Sequence, residues 1–455
     1  MPEPRRVADP LRRLALGILV PFLLAGQARA QAAPPAPERF RLANGLEVDL
    51  IPDRATQVVA VEVWYEAGSR HDPAGRAGLA QLFERLMFAG SPHVPIGGHA
   101  RIVEDVGGKT VASVDEELSR FGEVLPSSRL GLGLWLEAER MRGIAIDDSV
   151  VASVIGVRLS ELAGQTGAES YRDALLRGMA AVYDSAACTS VYGRPLSAVI
   201  TGLSALTGPE VRDFFLARYT PGNARLVVAG DFEPRATRAL VESYFGGIPS
   251  GPRPAVPACA DAAVAVPRRI SLAVPGAPAA AAGLFFPIPS HDHPDIPGLE
   301  LIEIILSRGS FSHLSRELAS DPGRMSAWQA GVLGLRRAPG VFGFFGVAGD
   351  GVPADSVASF FAAQAAWIGS GAFEESDLAR ARQIQLATAA STRERPGDIA
   401  RVREHGAVFH PAAPPGGSPE ETPTTITLEE LRRIARTYFG ADRAVTLLVS
   451  PGAGQ

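Results

Sequence analysis

The chain has 455 residues, 46% of them hydrophobic and 20% charged, with a net charge of −5. That length exceeds what one small core holds and points to two domains or more. The composition excludes a disordered chain, and the mildly acidic balance offers no basic field for nucleic acid.

Arg5, Arg6, Arg12 and Arg13 precede an apolar run, Leu14 to Leu24, and Ala28-Arg29-Ala30 follows as a small-x-small cleavage site. This is the layout of a secretory signal peptide over residues 1–30. The run falls far short of the ~20 apolar residues that cross a bilayer, and no other stretch reaches that length. The expected location is the periplasm or the cell exterior. Removing residues 1–30, with five Arg against Glu3 and Asp9, takes the net charge from −5 to −8. Cys188 and Cys259 are the only cysteines. Export permits a disulfide, but two Cys make no framework, and the sequence leaves their pairing open.

Residues 31–37 (QAAPPAP) read as a flexible lead-in. Strands follow at Arg39–Arg41 and Leu46–Ile51, with Asn44-Gly45 as the turn between them, and a third at Gln57–Tyr65. The stretch Ala77–Phe88 has Leu79, Leu82, Phe83, Leu86 and Met87 at helical spacing. A hairpin over Lys109–Leu125 precedes helices near Ser128–Arg142, Asp147–Leu162, Ser170–Tyr183 and Thr207–Tyr219. A strand at Arg225–Ala229 and a helix at Pro234–Phe245 close this half. The second half repeats the plan: strands near Ile270–Val274 and Gly283–Phe286, a helix near Ile296–Leu306, a hairpin at Met325–Leu335 and Gly340–Ala348, then helices at 353–369, 375–394 and 397–409. The segment 411–425, rich in Pro and Thr, reads as an exposed loop.

The two halves end alike. TGPEVRDFFLARYTPGNARLVV at 207 and TLEELRRIARTYFGADRAVTLLV at 427 each give a helix ending at a Tyr (Tyr219, Tyr438), a turn and an apolar strand. The expected fold is α+β: two similar lobes related by internal duplication, each an antiparallel-rich sheet covered by helices. The expected division is an N-terminal lobe over 38–250, a Pro- and Ala-rich linker over 251–266 and a C-terminal lobe over 267–451.

The chemistry-bearing pattern lies on the helix GLAQLFERLMFAG at 78–90. Gln81, Glu84 and Arg85 stand at i, i+3 and i+4 and share one side. Inverted zinc motifs, H-x-x-E-H, use that spacing: two imidazoles one turn apart grip Zn²⁺, and the Glu between them activates water.

The surroundings of this helix resemble the insulinase/pitrilysin family of metallopeptidases, and especially its two-lobed, mitochondrial-processing-peptidase-like branch. NGLEVDLIPD at 44 resembles the family's opening hairpin and WYEAGSRHDPAGRAGLA its run into the zinc helix. Leu86-Met87-Phe88-Ala89-Gly90-Ser91 resembles the exit, and Gly107-Gly108 and Glu137-x-x-Arg140-Met141 fit later landmarks. Phe214-x-x-x-x-Tyr219-x-Pro221-x-Asn223-Ala224, Gly230-Asp231 and Tyr244-Phe245-Gly246 fit the end of the lobe. The resemblance spans roughly 38–450.

Against that family the chain departs where zinc is held. Peptide-cutting members have His where Gln81 and Arg85 stand. An amide is a poor ligand, and a guanidinium has no lone pair and repels the ion. The third family ligand is a Glu some seventy-odd residues on. Aligning Val154-Ile155 with the family's apolar pair puts Arg158 there, whereas counting residues alone puts Glu161 there. The flanking pattern favours Arg158. Glu84 holds the general-base position but has no metal-bound water to activate, and the expectation is that it pairs with Arg85 or Arg158. The family's Asn-Ala-x-Thr strand is Val111-Ala112-Ser113-Val114 here. Its substrate-gripping Arg and Tyr are not recovered in the second lobe, where Arg316 and Trp328 lack the spacing. Leu306-Ser307-Arg308-Gly309-Ser310 resembles a family loop in a short version.

The resemblance implies a non-catalytic subunit, with no metal of its own, that pairs with a zinc-bearing paralogue in an exported heterodimer and shapes a chamber for peptide or protein substrates. A homodimeric peptide-binding scaffold and a metalloendopeptidase with an unusual metal site are the alternatives. Other histidines carry less. His291-Asp292-His293 reads as a solvated turn, His71 as a packing or hydrogen-bonding group, and His405 and His410 lack an acidic or Cys partner. No P-loop, dinucleotide fingerprint or Ser-His-Asp signature occurs.

Overall fold

The computed structural model describes residues 37–55, 57–164, 170–183, 194–251, 267–334, 339–392, 395–399 and 425–452. The N-terminal export pattern, Cys188, Cys259, most of the Pro-rich linker, His405, His410 and most of the loop 411–425 lie outside them.

The N-terminal lobe is built on β1 (Glu38–Arg41), β2 (Glu47–Pro52), β3 (Val58–Tyr65), β4 (Lys109–Val114), β5 (Ser119–Pro126) and β6 (Ala224–Gly230), which form one sheet in the order β1-β2-β6-β3-β5-β4. The Asn44-Gly45 turn forms as expected. Gly45 takes φ 91°, and the Asn44 amide donates to the Phe245 and Ile248 carbonyls. The helices are α1 (Leu79–Leu86), α2 (Gly98–Asp105), α3 (Leu130–Arg142), α4 (Asp148–Ala163), α5 (Ser170–Ala180), α6 (Leu196–Ser204), α7 (Gly208–Arg218) and α8 (Pro234–Phe245). Sequence periodicity did not reveal α2 or α6. Segment α2 reads GHARIVED, and its short run of Ile102 and Val103 gives no repeat to detect.

The C-terminal lobe has β7 (Arg268–Pro275), β8 (Ala281–Ile288), β9 (Met325–Gly334), β10 (Gly340–Ala348) and β11 (Val445–Gly452), in the order β7-β11-β8-β10-β9. Its helices are α9 (Ile296–Ser307), α10 (His313–Ala319), α11 (Ala354–Ser370), α12 (Glu375–Thr392) and α13 (Leu428–Tyr438).

The duplication is visible in the topology. The order β7-β11-β8-β10-β9 repeats β2-β6-β3-β5-β4, and in each of these runs the first pair is parallel while the other pairs are antiparallel. It is visible again in the caps. Thr207 with Glu210 and Thr427 with Glu430 each form a capping box at the start of the helix before the last strand.

Successive strand residues point to opposite sides, and both faces of each sheet carry buried apolar residues, joined on the second face of the first sheet by ion pairs of Glu62 with Arg120 and of Arg225 with Glu47 and Asp49. In the first sheet Val59, Val61 and Val63 face the lobe's own helices, and Ala60 and Trp64 face the other way. In the second sheet Leu284 and Phe286 face α9 and α11, while Phe285, Val341, Phe345 and Leu447 face away. Each lobe covers the other's second face. Tyr171, Ala174, Met179 and Val182, in and just after α5, pack on Phe285, Phe345 and Leu447. The Tyr171 hydroxyl also donates to the Ala279 carbonyl at 2.7 Å. In return Ile399 packs on Ala60, Trp64 and Val227 of the first sheet. The lobes therefore belong to one compact unit.

At Gly178 α5 packs closely on the second sheet, and a Cβ there would lie 2.3 Å from the Phe285 ring. Gly178→Val should cost about 1–3 kcal/mol by overpacking, read as a lower urea midpoint. Gly156, in the middle of α4, has nothing within 4 Å of its Cβ position. Gly156→Ala should instead stabilise by up to ~1 kcal/mol through helix propensity. Equal effects at the two sites would mean that α5 is not the tightly packed contact described.

Candidate functional site

Helix α1 is held in place at its start and from beneath. The Asp72 carboxylate accepts from the Gly78 and Ala80 amides, each at 2.8 Å, and so caps the helix start from outside. Arg194 holds the same carboxylate at 2.7 Å. Underneath, Leu79, Leu82, Phe83 and Leu86 are buried, and the Phe83 ring centroid lies 4.5 Å from that of Tyr219. This leaves Gln81, Glu84 and Arg85 on the outer side, facing α4 and β4. His71 precedes the helix. Burial pushes it down to about 3 and keeps it neutral, and its Nδ1 accepts from the Gly68 amide at 3.0 Å.

The expected pairing of Glu84 with Arg85 or Arg158 is not what forms. Glu161, on α4, takes both guanidiniums: it is ion-paired with Arg85 and lies 3.3 Å from Arg158. Glu84 accepts from the Val114 amide of β4 at 3.0 Å. The reason is geometric. Glu84 stands above the end of β4, which leaves an amide within reach, while Glu161 comes down on the Arg85 side. Arg158 and Gln81 line the adjoining cavity, and Glu161 joins the site through its ion pairs with Arg85 and Arg158.

As a donor set this does not fit Zn²⁺. It offers one amide, two guanidiniums and a Glu161 carboxylate engaged by both guanidiniums. A cation brought here would meet fixed positive charge and no imidazole. The ion pairs are partly exposed and are worth at most ~1 kcal/mol. Their consequence is that guanidinium charge stands where the resemblance would put a metal.

The C-terminal lobe repeats the tether without the motif. Counting back from Gly90-Ser91 and from Gly309-Ser310 sets Glu303 on Glu84, Glu300 on Gln81 and Ile304 on Arg85. Glu303 accepts from the Val332 amide of β9 at 3.0 Å, the same bond from helix to neighbouring edge strand. The crossing of α9 with α12 carries Gln385 and Thr388, three apart like Arg158 and Glu161, on a groove of about 270 Å³. A carboxylate at this place therefore does a structural job in a lobe that has no zinc-type helix.

A second polar cluster was not anticipated. His99 of α2, Glu123 of β5 and Glu137 of α3 are buried, with ligand-type atoms all within 4.8 Å of one another. The His99 Nε2 lies 3.0 Å from Glu123, and Arg140 is bonded to Glu137. Burial pushes Glu123 up to about 7 and Glu137 well above the carboxylate range, with Arg140 pulling both back. Burial also pushes His99 down to about 3, so it is neutral. Arg140 against two carboxylates leaves one negative charge, which a single shared proton cancels. A divalent ion would overshoot to net positive in a buried site, which is costly, so the cluster fits a shared proton better than a metal. Only Glu137-x-x-Arg140 was legible beforehand, since the other two members lie on separate elements. The His291–His293 turn also differs from expectation, because His291 is buried rather than solvated.

Two outcomes test these assignments. Glu84→Ala should release the Val114 amide at a cost of about 1 kcal/mol, seen as faster hydrogen exchange over residues 109–114. Glu84→Gln keeps an acceptor oxygen and should leave the exchange unchanged. For the cluster, a folded value near 7 lies above the ordinary 4.5 of Glu123, so its stabilisation is full below about 4.5 and is lost as pH rises through about 7. Glu123→Gln cannot ionise, so its melting temperature relative to wild type should rise between about pH 5 and about pH 8. A constant difference would rule out proton sharing.

Two family descriptions match the chain: "Insulinase (Peptidase family M16)" over residues 48–142 and "Peptidase M16 inactive domain" over residues 205–385. Zinc protease PqqE of Helicobacter pylori is 22% identical over 445 residues, covering 97% of this chain and 98% of that protein. Cytochrome b-c1 complex subunit 1 of Bos taurus is 27% identical over 305 residues, covering 64% of this chain and 61% of that protein. The crystal structure of a protease from Helicobacter pylori has the same fold, with a TM-score of 0.81 at 22% identity, over 92% of this chain and 100% of that one. The repeated two-lobed fold, the placement of α1 and these matches together make the chain a member of the insulinase (M16) family.

Proposed function

We propose that this protein is an exported, non-catalytic insulinase-family subunit that works beside a zinc-bearing paralogue in peptide or protein processing. The observation that carries the reading is the Arg85–Glu161–Arg158 set beside Gln81. It supplies positive charge and engaged acceptors where a peptidase needs open metal ligands. The scaffold around it is intact, from the Asp72 cap to the Phe83 and Tyr219 packing. The bovine relative is named as a subunit of a complex and not as a peptidase, which supports a role in an assembly. Export rests on the Arg-rich start, the apolar run and Ala28-Arg29-Ala30. In this reading the retained Glu84 serves as the strand tether and has no part in catalysis.

Metal analysis of the purified protein should find no stoichiometric zinc. Zinc that is present and lost on Gln81→Ala would overturn the proposal. The combined change Gln81→His, Arg85→His and Arg158→Glu should restore zinc binding, because the helix is already in position. Co-expression with a homologue carrying an intact H-x-x-E-H helix should give a co-purifying complex with more peptidase activity than the homologue alone. A homodimer with no effect on the homologue would favour a scaffold instead.

A further inference from the structure

The cavity beside Gln81 has an unusual balance of donors and acceptors. It measures about 240 Å³ and lies between α1, α4, α5 and the end of β4. Its acidic residues are already served. Asp72 accepts two backbone amides and Arg194. Asp115 accepts the Glu117 and Leu118 amides, each at 2.7 Å. Asp173 accepts the Leu196 amide and Arg177, and Glu116 also has a partner. The donors in the same wall are not served to the same extent. Gln81 and Arg172 make no side-chain hydrogen bond among the described residues, and Arg158 has only its 3.3 Å contact with Glu161, which Arg85 shares.

Gln81, Arg158 and Arg172 thus offer donors that an acceptor entering the cavity would pair as water leaves. The planar forks of Arg158 and Arg172 match a carboxylate. A dianion would also sit near Asp115 and Glu116, so a single negative charge suits the wall better. The volume lies just under the ~300 Å³ at which drug-sized pockets begin, which suits a chain end. We infer that this cavity binds a peptide carboxylate, the C-terminal end of a chain, with Arg158, Arg172 and Gln81 as its donors. The inference rests on the reading of the protein as a non-catalytic subunit in peptide processing, and it names the group that this subunit would hold.

The test uses the full-length mature protein and two probes, N-acetyl-trialanine with a free carboxylate and the same peptide as its amide, in isothermal titration. The free acid should bind and the amide should bind at least about tenfold more weakly, the discrimination expected for a charge-assisted hydrogen bond. Arg172→Ala and Arg158→Ala should each weaken the acid by about tenfold and leave the amide unchanged. Both side chains reach solvent, and an unchanged urea midpoint checks that the variants fold. Gln81→Leu should have a smaller effect in the same direction. Equal binding of acid and amide, no binding of either, or insensitivity to both Arg changes overturns the carboxylate site. Inorganic phosphate binding more tightly and competing with the acid overturns the preference for a monoanion. Zinc content and complex formation are read separately, so a failure here leaves the non-catalytic subunit reading standing on its own test.

Discussion

Each sheet of this protein carries buried apolar residues on both faces, and its own helices can cover only one. The second faces, with Phe285, Phe345 and Leu447 in one lobe and Ala60, Trp64 and Val227 in the other, must be kept from water. They are covered by exchange: α5 of the first lobe lies on the second sheet, and Ile399 of the second half lies on the first. The fold depends on this exchange. It makes two duplicated halves one unit, and it fixes α5, and with it Arg172, Asp173 and Leu176, at the wall of the cavity beside α1.

That rigidity means that the position of the metal-type helix does not depend on a metal. The position of α1 is set by Asp72 at its start, by Phe83 and its neighbours beneath and by Glu84 bonded to β4. None of these contacts needs an ion. The Glu303 bond to β9 makes the point independently, because the second lobe uses the same tether with Ile304 where the first has Arg85. Outer-side residues such as Gln81 and Arg85 can therefore change chemistry while the fold stays put, and Glu161 on the facing helix compensates the guanidiniums that result.

Beneath the site, the polar cluster of His99, Glu123, Glu137 and Arg140 obeys a stricter rule. It is fully buried, so its net charge must be close to zero. A neutral imidazole, one guanidinium and two carboxylates reach zero with one proton, and the Phe88 ring lies 4.7 Å from Arg140 to seat the guanidinium. The outer cluster tolerates net positive charge because solvent reaches it, and the buried cluster does not.

The sequence by itself determined the elements whose signals are local. Period-2 valines gave β3, helical spacing of Leu79, Leu82, Phe83 and Leu86 gave α1, and the matching ends of the halves gave the duplication. The i, i+3, i+4 spacing also showed that Gln81, Glu84 and Arg85 share a side. Only the tertiary structure decided what those side chains touch. Which carboxylate meets Arg85 depends on how α4 crosses α1, and Glu161 lies seventy-six residues away along the chain. That Glu84 turns to Val114, that His99 and Glu123 join Glu137, and that α5 covers the other lobe's sheet are all contacts between distant segments. Periodicity reports which side of an element is apolar, and the packing of one element on another supplies the partner.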